Sequence, residues 1–350
     1  MIKHPKLFPW VQGLRAIAAF AVAFVHVSND AITTGRDPSG FITAATHFMP
    51  WATGVDIFFV ISGFVIVHAS ANLFAQSGGP ARFLHRRLTR IVPLYWALTT
   101  LFLVMALLQR SAIRGETGDA GTILASYLFI PWPRPDGLME PALGLGWTLN
   151  YEMFFYLVLT PFLLLPRIWA VAGSATALCL FVGVGQMVGF SAPPLRFWSD
   201  PIILEFVLGM GIAMAVGGSL TLPLSLRLAL TAIAILCLHE QSDAAFTWRP
   251  ISFGLPGALL VIAAVSSRRP EYIGPVMRGM IRLGDASYAM YLFHPFVMRG
   301  VTLLSTHVTA PTETGGIATV VLSLVLAQLC ALAINARFER KLTSVLRRRT

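Results

Sequence analysis

The sequence predicts an all-α, polytopic integral membrane protein with about ten transmembrane helices and both termini in the cytoplasm. Three observations carry that reading. Of 350 residues, 56% are apolar and only 12% are charged, where a soluble domain carries roughly 25% charged residues. The mean hydropathy is +0.71. Finally, the basic residues segregate between alternate connections. A single large soluble domain and a disordered chain are both excluded, because each needs more polar surface.

A spanning helix needs roughly 20 mostly apolar residues. Candidates in chain order lie near 8–28, 51–70, 91–109, 144–165, 168–189, 201–217, 222–238, 250–266, 284–305 and 316–336. The short basic start, Met1 to Trp10, leads directly into the first of these. No A-x-A-like site follows, so the sequence predicts an uncleaved first span. Gly54 and Gly63 of the second span read as close-packing positions between helices. The stretch Thr122–Trp132 is apolar but only about half a membrane thick, and Pro131, Pro133 and Pro135 end it. It is expected to be interfacial or re-entrant. Cys179, Cys237 and Cys330 lie far apart in apolar runs with no C-x-x-C pair, which suggests neither a zinc site nor a disulfide framework.

With the N-terminus in the cytoplasm, one side of this layout collects Lys3, Lys6, Arg82, Arg86, Arg87, Arg90, Arg167, Arg227, Arg268, Arg269, Arg278 and Arg282. The tail adds Arg337, Arg340, Lys341, Arg347, Arg348 and Arg349. The other side holds Arg36, Arg110, Arg114, Arg134, Arg196, Arg249 and Arg299, and Arg15 lies within the first span. The asymmetry follows the positive-inside rule for an even number of spans. Asp30, Asp37, Asp119, Asp136 and most other acidic residues fall on the outer side. The net charge of +10 is therefore mainly an orientation signal, and no nucleic-acid partner is implied. No internal repeat, low-complexity tract or appended soluble domain is evident.

Ionisable groups at membrane depth are costly, so each marks a functional candidate. Arg15 and His26 are eleven residues apart, about three turns, and face nearly the same way. Asp56, in the second span, is expected at the depth of His26. A contact there would orient the imidazole and raise its basicity, although a carboxylate accepting N–H groups at a helix start is the plainer alternative. In RFLHRRLTRIVPLYW the chain is expected to run from loop into the third span, with Arg86, Arg87 and Arg90 at the cytoplasmic edge. Such arginines can hold phosphate, or simply mark orientation. Glu152 lies about two turns into the fourth span, with Thr148 and Tyr156 on its stripe and Trp147, Asn150 and Tyr151 beside it. Ser287, Tyr291 and His294 share a stripe of the ninth span, and Pro295 predicts a broken helix there, lining a cavity.

Taken in order, these segments resemble the acyltransferase 3 family of integral membrane O-acyltransferases. The resemblance covers nearly the whole chain. Its elements are R-x10-H as Arg15 and His26, the GVDIFFVISGF block, and R-x-x-R as Arg87 and Arg90 followed by Pro93 and Tyr95. The W-T-L-N-Y-E-x-F-F-Y and S-Y-x-x-Y-L-x-H-P blocks complete it, and their wording is similar to the exopolysaccharide-modifying branch. No SGNH-type esterase domain follows, so the chain looks like a stand-alone member. The resemblance implies a transmembrane domain over residues 1–340 and a basic cytoplasmic tail over 341–350.

It further implies a multi-pass enzyme of the bacterial inner membrane. That enzyme would move an acyl group, typically acetyl, from cytoplasmic acetyl-CoA to a hydroxyl of a polysaccharide or lipid-linked oligosaccharide, without a metal. Its implied surroundings are the lipid bilayer and glycan assembly machinery. His26 would be the catalytic base or a transient acyl carrier, with Asp56 and Glu152 as catalytic partners. Arg15, Arg86, Arg87 and Arg90 would hold the coenzyme. Trp147, Tyr151, Tyr156, Tyr291 and His294 would bind the acceptor or the tetrahedral oxyanion. Two rival readings use the same residues: a glycan or small-acid transporter or flippase, and a polytopic assembly partner.

Overall fold

A computed structural model describes residues 8–108, 117–216, 220–241, 248–268, 272–308 and 312–342. Arg110, Arg114, Arg269, the terminal Lys3 and Lys6, and the tail arginines Arg347, Arg348 and Arg349 lie outside the described residues. Among the described residues every regular element is helical. They are α1 (Pro9–Thr33), α2 (Phe41–His47), α3 (Gly54–Ala69), α4 (Gly79–Leu108), α5 (Ala120–Leu128), α6 (Trp147–Phe162) and α7 (Arg167–Val188). There follow α8 (Pro193–Trp198), α9 (Leu204–Val216), α10 (Leu224–His239), α11 (Leu255–Val265), α12 (Pro275–Asp285), α13 (Ser287–Val308) and α14 (Glu313–Ile334).

Each of the ten apolar stretches is thus helical. Among the described residues, five helical runs are long and apolar enough to cross a bilayer: Pro9–Thr33, Trp51–Ala69, Gly79–Leu108, Arg167–Val188 and Glu313–Leu342. Shorter apolar helices cover Pro201–Val216, Leu224–His239 and Pro250–Val265. The remaining two, α6 and α13, carry the polar blocks that dilute their hydrophobicity. Most of α5 comes from the half-membrane stretch Thr122–Trp132. Asp119 caps α5 by accepting from the Thr122 backbone N–H at 2.7 Å, and those hydrogen bonds, the backbone one foremost, hold its carboxyl below the usual range.

Two expectations about where helices start and break fail. The arginine segment is not a loop entering a helix, because Arg82 to Arg90 form the first turns of α4, which continues through Pro93. Likewise α13 runs unbroken from Ser287 to Val308 with Pro295 inside it. A proline removes one N–H and crowds the preceding turn, but neighbouring helices and side chains can satisfy the freed carbonyl, so a membrane helix tolerates it.

The described residues group into two compact units. One draws on Met1–Ile61 and Val216–Arg340, the other on Ser62–Ala215 and Lys341–Thr350. In the first unit α1 packs along α11, α12, α13 and α14, and α13 lies against α14. Small side chains make this possible, since lipid offers helices no hydrophobic gain on association and close packing must supply it. Helix α14 buries Gly315, Thr319, Ser323, Ala327 and Ala331 at four-residue spacing. Helix α1 buries Ala18, Ala19 and Ala23, and a Cβ on Gly54 would run into the Ala18 carbonyl and Val22. In the second unit α6 packs on α4, α7 and α8. There Gly63 sits against the Phe206 backbone, and Phe155 stacks on Phe206 at 4.6 Å.

The glycine contacts give a direct test. Gly54→Val should destabilise the protein by about 1–3 kcal/mol through overpacking. Gly183→Ala in α7, where an added Cβ meets nothing within 4 Å, should leave stability equal or slightly raised. Thermal unfolding of the two variants in detergent, beside the parent protein, measures the difference.

Candidate active site

The first unit holds a seam of polar pairs between α1 and α13. Arg15 donates to the buried Ser287 Oγ from Nε at 3.2 Å and Nη2 at 3.0 Å. One step along, His26 Nδ1 meets His294 Nε2 at 3.0 Å. Further on, the Thr302 hydroxyl donates to the buried carboxylate of Asp30. Residue numbers rise together on both helices, so α1 and α13 run parallel at this seam. The spacing explains why. Arg15, His26 and Asp30 are separated by eleven and four residues, and Ser287, His294 and Thr302 by seven and eight. Both sets fall near one face of a helix with 3.6 residues per turn.

His294 is fully enclosed, with 0% exposure. Its Nδ1 lies 3.1 Å from the Met290 carbonyl one turn back. The two imidazole planes differ by only 9°, with ring centroids 5.2 Å apart. That separation matches the 3.0 Å bond plus the two ring radii, so the rings meet edge to edge in nearly one plane. His26 itself is half-buried.

Asp56 departs from expectation. Its fully buried carboxylate takes Arg249 Nε at 2.7 Å and Arg249 Nη2 at 2.8 Å. The partner the structure gives it is thus a guanidinium rather than His26. The physical reason is charge: a carboxylate with 0% exposure is held best by a full positive charge in fork geometry. Arg249 also lies over the Phe253 ring at 5.7 Å, and the π-helical turn Pro250–Gly254 leads from it into α11. Two residues beyond Asp56, Phe58 meets the Tyr291 ring edge-on at 6.2 Å.

The second unit gathers Glu152, Tyr156, Arg87 and Arg90. The buried Tyr156 hydroxyl donates to Glu152 Oε1. Helical spacing puts Glu152 and Tyr156 on one stripe of α6, and Phe83 of α4 packs edge-on against Tyr156 at 5.7 Å. Arg87 is half-buried, with its guanidinium 5.8 Å from the Phe83 ring, whereas Arg86 and Arg90 are exposed. Glu152, a catalytic partner of His26 in the resemblance, has Tyr156 as its hydrogen-bond partner in this unit. Tyr151 is buried, donates to the Phe197 carbonyl at 2.8 Å and stacks on that ring at 4.3 Å. Trp147 packs edge-on against Tyr151 at 6.0 Å.

Sequence reasoning named Arg15, His26, Ser287 and His294 but missed three partners. The sequence places Asp30 among the outer-side acidic residues; in the structure it is buried and accepts from Thr302. Arg249 was counted only as an outer-side charge. The available signal was its position, a lone arginine directly before an apolar stretch.

The fold thus defines a helical membrane protein with a polar seam of paired imidazoles and an arginine-bearing helix. The acyltransferase 3 family model, described as an acyltransferase domain, matches residues 8–336, and the chain belongs to that family and is a membrane O-acyltransferase. Among curated relatives, the exopolysaccharide production protein ExoZ of Rhizobium meliloti is 34% identical over 254 residues, covering 72% of this chain and 78% of the relative. The acyltransferase MdmB of Streptomyces mycarofaciens is 28% identical, covering 83% and 79%. The peptidoglycan O-acetyltransferase OatA of Listeria monocytogenes is 26% identical over 83% of this chain but only 49% of its own length. No solved structure matches the chain.

Removing one partner of the Asp56–Arg249 pair leaves the other as an uncompensated buried charge. Arg249→Met alone should therefore destabilise by about 3–5 kcal/mol. Joined to Asp56→Leu, it should cost less than either change alone. Thermal melts of the three variants check the sign of this coupling.

Proposed function

We propose that this protein transfers an acetyl group from cytoplasmic acetyl-CoA to a hydroxyl of an extracytoplasmic or lipid-linked polysaccharide at the bacterial inner membrane, with His26 as general base. The observation that carries the reading is the paired imidazoles of His26 and His294 on the α1–α13 seam. A half-buried imidazole held in one orientation is suited to accept a proton from a hydroxyl and return it. The acceptor oxygen attacks the thioester carbonyl as its proton passes to His26. The tetrahedral intermediate then loses the coenzyme thiolate, which takes the proton back. Ester and free thiol are the products.

The donor's phosphates need cations at the cytoplasmic surface. Arg86 and Arg90 are exposed one turn apart on α4, a placement that suits bidentate phosphate contacts. Arg87, half-buried beside Phe83, suits a phosphate held closer to the helix. Arg15, tied to Ser287, suits a fixed positive field within the seam. Tyr291 and Trp147 are assigned to the acceptor, and the Glu152–Tyr156 pair to its positioning.

All ten apolar helices are proposed to cross the bilayer, with both termini in the cytoplasm. The parallel run of α1 and α13 supports this, since the first and ninth of ten consecutive crossings must point the same way. The polysaccharide acceptor draws its support from the names of the relatives, one an exopolysaccharide production protein and one a peptidoglycan O-acetyltransferase. Proximity to glycan assembly machinery belongs to the same reading.

The test uses purified protein, labelled acetyl-CoA and a glycan acceptor. His26→Ala should lose at least about 100-fold in transfer, within the usual contribution of general base catalysis. Transfer by that variant at the parental rate would remove His26 from the chemistry, and glycan movement across vesicles without acetyl-CoA would favour a transporter. In the same assay Arg90→Ala should raise the KM for acetyl-CoA about tenfold with kcat little changed, the pattern of lost ground-state binding.

A further inference from the structure

We propose that His294 is a positioning residue that fixes the tautomer of His26, so that Nε2 of His26 is the atom that takes the acceptor's proton. The inference rests on His26 acting as the base and follows from a chain of hydrogen bonds that ends on the backbone. The Met290 carbonyl can only accept. His294 Nδ1, 3.1 Å from it, must therefore carry the proton. A neutral imidazole has one N–H, so His294 Nε2 presents a lone pair. Its partner at 3.0 Å is His26 Nδ1, which must then be the donor. Neutral His26, protonated at Nδ1, has its lone pair on Nε2.

A doubly protonated His294 would reverse the order of donors. That form would put a full positive charge on a ring with 0% exposure, at a cost of several kcal/mol. The edge-to-edge, nearly coplanar rings also suit an N–H pointed along the partner's lone pair.

The arrangement does for His26 what an orienting carboxylate does in other acyl-transfer sites: it holds one ring nitrogen so that the other is bare. His294 does so while neutral. In the transfer step the acceptor O–H gives its proton to His26 Nε2 as the C–O bond forms. The C–S bond then breaks, and the same nitrogen returns the proton to sulfur. Throughout, Nδ1–H stays on His294.

Two measurements test the proposal. The first is NMR of isotope-labelled histidine ring nitrogens in the full-length protein in nanodiscs, with the His26 signals assigned by their loss in His26→Gln. The expected result is a protonated Nδ1 and a bare Nε2; the opposite tautomer would overturn the proposal. The second compares His294→Phe, which has no acceptor, with His294→Gln, whose amide can both accept from His26 and donate to Met290. His294→Phe should lower kcat about 10–100-fold with the KM for acetyl-CoA within about twofold, and His294→Gln should recover at least about tenfold of the loss. Parental kcat in His294→Phe would overturn the tautomer role while leaving His26→Ala to judge the base. If His294→Phe does not fold, the NMR measurement on the parent protein still decides.

Discussion

Among the described residues Asp30, Arg36, Asp56, Glu205 and His294 are almost wholly excluded from solvent, in a chain whose surroundings are largely hydrocarbon. A bilayer allows that only where each polar group finds a partner inside the protein. Along α1 and α13 the partners are supplied pairwise: guanidinium to hydroxyl, imidazole to imidazole, hydroxyl to carboxylate. This pairing constrains everything around it. The two helices must run parallel and hold one register, because a slip of one residue would turn every partner about 100° away. Close approach then demands small residues on the flanking helices, which is what α14 and the start of α3 provide.

Much of this was legible in the sequence. Apolar length marks helices dependably, because a backbone in lipid has no other way to satisfy its own N–H and C=O groups as a single segment. All ten predicted stretches are helical for that reason. Helical periodicity also put Arg15 with His26, and Ser287 with His294, on common faces. A stripe marks residues that look in one direction, and it gives no information about what they look at.

The illegible part lay in those pairings and in one proline. Asp56 and Arg249 are 193 positions apart, Asp30 and Thr302 are 272. Nothing local in the sequence selects Arg249 over His26 as the partner of Asp56; the choice is made by which helices pack, and by the greater need of a buried carboxylate for a full charge. Pro295 predicts an interruption because proline breaks isolated helices. In the packed structure α13 continues through Pro295, and His294 Nδ1, just before it, lies 3.1 Å from the Met290 carbonyl. On α6 the stripe read from sequence survives, but Glu152 is committed to Tyr156 within its own unit.

The most direct test of the central claim, that α1 and α13 form a parallel polar seam, is site-directed disulfide trapping. Cys179, Cys237 and Cys330 are free and can be replaced by serine. In that background Asp30→Cys with Thr302→Cys should cross-link under mild oxidation in membranes. Asp30→Cys with Ser287→Cys, at opposite ends of the seam, should not, since a disulfide needs Cα atoms within about 7 Å. Efficient cross-linking of the second pair and none of the first would contradict the seam and the imidazole pairing built on it.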